Sequence, residues 1–111
     1  MAEVNVALKK VEMNEGFDLP EAVALDATDG AYISFRGQDA KTVILLTGTG
    51  EAVVKAGDGL QAINDLAVTV GANGTALELE SGAYKITSGA HKGTVHITGP
   101  ATVKVQAFEL I

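Results

Sequence analysis

Apolar side chains recur at every second position in short runs along this chain, and Gly, Asp, Asn or Ser closes each run within a few residues. Val4, Val6 and Leu8 alternate in this way near one end. At the other, Val103, Val105 and Ala107 are separated by Lys104 and Gln106. Successive side chains of a strand point to opposite faces, so this spacing marks strands with one buried and one wet face. Further runs lie at 22–25, 31–36, 42–46, 52–55, 66–70, 76–80, 83–87 and 94–98. Strands repeated about every ten residues predict an all-β domain, a β-sandwich or flattened β-barrel of about eight to ten short antiparallel strands with at most one short helix.

The glycines mark the joints, where turns require positive φ. Asn73-Gly74-Thr75 matches a glycosylation sequon, but with no secretory signal it reads as an Asn-Gly hairpin turn. Gly48-Thr49-Gly50 follows an apolar strand as a dinucleotide-binding loop would. The third small position is occupied by Val53 and no helix can follow, so this too reads as a hairpin turn. Residues 58–66 admit two readings: a short helix capped by Asp58 with Leu60 and Ile63 on one side, or another strand. The organisation expected is a single domain, with an N-terminal strand or arm at 1–12, an exposed acidic loop at 13–21 (MNEGFDLPE) and a sandwich body at 22–111. Residues 30–46 set over 82–98 match at Gly30/Gly82, Ala31/Ala83, Tyr32/Tyr84, Gly37/Gly89, Thr42/Thr94 and Val43/Val95. This is either an internal repeat or reused turn chemistry.

Composition removes whole classes of function. The chain has 111 residues, no Cys and a net charge of −6. Thiolate metal sites, disulfides and cysteine nucleophiles are excluded, and binding driven by phosphate charge has little to act through, so neither nucleic acid nor an anionic membrane is an expected partner. The aromatic residues Phe17, Tyr32, Phe35, Tyr84 and Phe108 are too few to supply both a core and a stacking platform, which disfavours carbohydrate binding. No basic start followed by an apolar block is present, and no run approaches the ~18 apolar residues of a membrane helix, so neither a leader nor a span is expected.

Candidate chemistry is sparse. Ser88 and His91 are the nearest approach to a nucleophile and base, but SGAHKG reads as a Gly-rich hairpin with solvated side chains. His91 and His96, five apart, would lie on opposite faces of a continuous strand, and two ligands seldom make a metal site. Asp26 and Asp29 could hold calcium only incidentally, because ALDATDGAY lacks the spacing of a calcium loop. No catalytic residue, no metal and no cofactor is assigned, and the chain is expected not to be an enzyme. The alternation beside a free end suits Ala2, Glu3, Val4, Asn5, Val6, Ala7 and Leu8 to strand addition on a neighbour's sheet, an arm whose loss would leave the fold intact.

From Ala56 to Leu110 the chain resembles small virion proteins of tailed bacteriophages. The similarity rests on Asp65-Leu66 with Val68 and Val70, on Glu80-Ser81-Gly82 with Tyr84-Lys85, on Gly89 with Lys92-Gly93 and Val95, and on the closing Val103, Val105 strand. DATDGAYISF and KTVILLTGTGE are compatible with the same group, extending it over residues 22–110. The resemblance implies a capsid decoration (head cement) protein: a non-enzymatic structural protein on the outer capsid surface of the virion, assembled in the host cytoplasm, whose partners are the major capsid protein and itself, as a homotrimer. The N-terminal residues 2–8 then become the expected capsid or protomer interface. Alternatives are a tail, baseplate or surface binding module, and a tail-tube or head-completion subunit.

Overall fold

The computed structural model describes residues 4–6, 8–35, 39–59 and 64–110, in which the alternating runs become ten strands. They are β1 (Val4–Val6), β2 (Lys9–Lys10), β3 (Val23–Ala24), β4 (Ala31–Ser34), β5 (Thr42–Gly48), β6 (Glu51–Val54), β7 (Leu66–Thr69), β8 (Thr75–Leu77), β9 (Thr94–Thr98) and β10 (Val103–Glu109). One helical turn, α1 (Ser81–Tyr84), and a 3-10 turn at Asp39–Lys41 complete the elements. One sheet runs β1-β4-β9-β6-β7. The other runs β2-β10-β5-β8, with β3 also on β10. The all-β sandwich expected from the spacing is the fold observed.

Period two accounts for the core directly. Ile44 and Leu46 of β5 and Val103, Val105 and Ala107 of β10 face Ala31 and Ile33 of β4, Ala52 and Val54 of β6, and Val95 and Ile97 of β9, all essentially inaccessible to solvent. Each Val or Ile so buried contributes about 1.5–3 kcal/mol relative to exposure. β5 and β10 pair over their whole length, from Val103 opposite Gly48 to Glu109 opposite Thr42, and form the spine of their sheet.

Pairing departs from the antiparallel expectation at the N-terminus. β1 runs parallel to β4, and β2 parallel to β10. A parallel pair needs a long connection, and here the chain supplies it by passing from one sheet to the other between β1 and β2 before the loop at 13–21. Alternation carries no information about direction, which is why the sequence could not show this. The arm is also part of the core: Val6 and Leu8 are buried, and Val11 N donates to Glu109 O at 2.8 Å. Two of the side chains within residues 2–8 thus belong to that core, and their removal is expected to destabilise the fold.

The turns also differ from expectation. Gly48-Thr49-Gly50 joins β5 to β6, and residues 70–74 join β7 to β8, so both are corners between sheets rather than hairpins. Gly48 takes φ 99°, and a Cβ there would collide with the Thr102 carbonyl oxygen. The two corners at 48–50 and 99–102 are laced together by Thr102 Oγ1 donating to Thr49 O at 2.6 Å. Residues 83–87 are not a strand. Glu80 O accepts from Ala83 N and Tyr84 N, closing α1, and Gly57 N donates to Ala83 O at 3.0 Å. That close approach has no room for a Cβ on Gly57, which would meet the Lys85 carbonyl. Of the two readings of 58–66, the part at 60–63 lies outside the described residues; β7 begins at Leu66. The internal repeat is absent from the fold, because Ala31-Tyr32 is strand where Ala83-Tyr84 is helix, and Thr42-Val43 and Thr94-Val95 lie in different sheets.

Candidate functional site

The segment assigned to an interface is an edge strand of its own sheet. Val4, Asn5 and Val6 stand opposite Ala31, Tyr32 and Ile33. Val4 is half-buried, Asn5 exposed, and Val6 and Leu8 buried, while Ala2, Glu3 and Ala7 lie outside the described residues. What β1 leaves to a neighbour is the edge away from β4.

The outer face of the same sheet carries an arrangement that spacing alone did not suggest. Tyr32 and His96 both point outward, each between two buried residues, and the β4–β9 register sets them side by side. Their rings stack at 4.2 Å and 5°. His91 reaches the phenol from the preceding turn, with ring centroids 3.7 Å apart and planes 4° apart. Two imidazoles parallel to one phenol at these separations must lie on its opposite faces, so Tyr32 is clasped between them. The expectation that His91 and His96 face apart fails because His91 precedes β9, where strand alternation does not apply. Thr94 N and Oγ1 both bond His91 O, which sets the turn, and His96 Nε2 lies 2.7 Å from Asp29 O. With a phenol ring between them the imidazoles cannot bring nitrogens within about 2.0–2.1 Å of one zinc ion. Among the described residues no three His, Asp or Glu side chains are grouped to hold a metal.

Asp58 organises the neighbouring turn. It accepts hydrogen bonds from Thr87 Oγ1 and Thr87 N at 2.7 Å each and from Ser88 Oγ at 2.9 Å. These bonds, led by the Thr87 hydroxyl, lower its pKa to about 2. Ser88 therefore donates to a carboxylate while His91 stacks on Tyr32, and the structure turns the two members of the candidate dyad to different partners. Asp65 is also held below the ordinary carboxylate range, first by the Ala56 amide and then by Lys55, whose Nζ lies 2.9 Å away. Asp26 Oδ2 accepts from the amides of Thr28 and Asp29 at 3.1 and 2.7 Å. The carboxylate considered for calcium thus closes its own turn.

No protein-family model, curated protein or solved structure matches this chain. The carboxylates and hydroxyls of Asp26, Asp58, Asp65, Thr87 and Ser88 hold turns and connections of this chain.

Proposed function

We propose that this chain is a non-enzymatic virion structural protein, a decoration or cement protein that binds the outside of a tailed-phage head as a homotrimer and stabilises the capsid. The observation that carries the reading is the use to which its polar side chains are put. Asp26, Asp58, Asp65, Ser88 and Thr102 each bond a turn or connection of this chain, which supports a role carried by a braced shape. The strand and turn motifs between Ala56 and Leu110 support the same reading by resemblance. A net charge of −6 suits the outer surface of a shell whose basic lining faces the genome. Many copies with shallow contacts hold by avidity where one would not. In this reading residues 2–8 meet the major capsid protein or a sister protomer along the outer edge of β1.

The test is to mix purified protein with expanded and unexpanded heads and image both. Saturable density confined to expanded shells is expected, and absence of density on either refutes the proposal. Molar mass in solution separates a trimer from the rings of a tail-tube or head-completion subunit. One observation favours the second reading, a tail or surface binding module: the His91–Tyr32–His96 stack groups three partly exposed rings on the outer face of a sheet. Selective glycan capture that disappears in Tyr32→Ala would establish that module instead.

A further inference from the structure

The loop after β2 exposes large apolar side chains, which is rare among the described residues. Met13 is 67% exposed and Leu19 53%, and among the described residues only Leu110 joins them as a large exposed hydrophobic. The loop folds back toward β2 and leaves a cleft of about 220 Å³ lined by Lys9, Lys10, Glu12, Glu15, Phe17 and Asp18, with Gly16 at its turn. Its apolar wall is the Phe17 ring, packed at 5.6 Å on Phe108 of β10.

The charges in the cleft are unevenly committed. Lys9 Nζ donates to Asp18 O at 2.8 Å and lies 5.3 Å from the Phe17 centroid, so this cation belongs to the loop's own structure. Glu12 and Glu15 have no ion pair or hydrogen bond among the described residues. The loop is tied at its start by Val11 N donating to Glu109 O at 2.8 Å, and near its end by Lys9 Nζ on Asp18 O and Gln106 Nε2 on Pro20 O at 2.6 Å. A loop already fixed in shape loses little conformational freedom when a partner binds.

We propose that residues 12–19 and β2 form a docking surface for a basic segment of a partner protein, with an arginine side chain entering the cleft beside Glu12 and Glu15 and apolar neighbours covering Met13 and Leu19. Arginine fits the carboxylates, since its planar guanidinium pairs with them through two parallel hydrogen bonds, while Phe17, already beneath Lys9 Nζ and against Phe108, gives its methylenes an apolar wall. Glu12, Glu15 and Asp18 outnumber Lys9 and Lys10 in the lining, and Lys9 is already engaged with Asp18 O, so the balance favours a cation over a phosphate or an anionic lipid headgroup. The inference deepens the decoration reading, naming the chemistry of the shell surface to be gripped, and rests on that reading only for the partner's identity.

Two double variants test it, Glu12→Gln with Glu15→Gln, and Met13→Ser with Leu19→Ser. All four side chains are exposed, so unchanged melting temperatures are expected and verify folding. On expanded heads each pair should weaken binding by about tenfold or more. The Gln pair should also flatten the salt dependence, which the Ser pair should leave intact. Wild-type affinity in both, on heads that wild type saturates, overturns the docking surface and leaves the decoration reading standing. If wild type binds no heads the decoration reading fails, and the surface is then judged by an NMR titration of the isolated chain with a short peptide alternating Leu and Arg. Shifts confined to residues 9–19, and missing with a Leu and Glu peptide, support the surface; shifts elsewhere, or none, overturn it.

Discussion

Truncating Leu8 to Ala tests whether the N-terminal arm belongs to the core. Leu8 is 7% exposed where the chain passes from β1 in one sheet to β2 in the other. The lost carbons are worth about 2.4 kcal/mol at about 0.8 kcal/mol each. A residual cavity raises the cost, and buried Leu→Ala changes fall in the range of about 2.7–5 kcal/mol. Leu8 keeps slight solvent contact, unlike the fully buried core residues, so the lower end applies, about 3 kcal/mol. Unfolding entropy of about 2.1 cal/mol/K per residue gives about 0.23 kcal/mol/K for 111 residues, so the melting temperature should fall by about 13 °C. Asn5→Ala, on the same strand but with an exposed side chain, is the control and should move it by no more than about 2 °C. Thermal unfolding followed by circular dichroism reads both. A Leu8→Ala melting temperature within about 3 °C of wild type would refute the packing argument and return the arm to the solvent.

Three further outcomes follow from the turns and the ring stack. Gly30→Ala should cost at least about 2 kcal/mol in chemical denaturation, because Gly30 has φ 70° and a Cβ would strike the Ile97 carbonyl oxygen; a neutral change would contradict that geometry. Asp58→Asn should be less stable than wild type at neutral pH. The folded pKa of Asp58 is lowered from 3.8 to about 2, so its contribution is present above pH 3.8 and is lost as pH falls through about 2. The gap between the two proteins should therefore close across that window, and a constant gap would assign the effect to something other than this carboxylate. Tyr32→Ala removes both ring stacks and should cost about 1–3 kcal/mol beyond lost burial, while faster amide exchange at 88–93 would show the turn released.

Most strand positions and their inward-facing residues were readable because period two is a local property, the run at 83–87 being the exception. Val103, Val105 and Ala107 had to share a face whatever they packed against. Corners were readable for the same reason, since Gly48 and Gly74 adopt backbone conformations that few other residues tolerate. The partner across each corner was not. Asn73-Gly74 and Gly48-Thr49-Gly50 have hairpin composition, yet each passes the chain to the other sheet. The surface features depend on the same missing information: Tyr32 and His96 are outward by alternation, but their stack exists only because β4 pairs with β9 in one register, with His91 brought over by a turn.

The sequence by itself determined an all-β chain, its buried faces, its turn positions and an acidic surface without cysteine chemistry, because each follows from residue type and near-neighbour spacing. Tertiary structure alone decided which sheet each strand joins, the parallel docking of the N-terminal arm, the helical turn at 81–84 and the cleft beneath the acidic loop. Those depend on contacts between residues far apart in the chain, where packing of whole faces selects one pairing among many that local pattern permits equally.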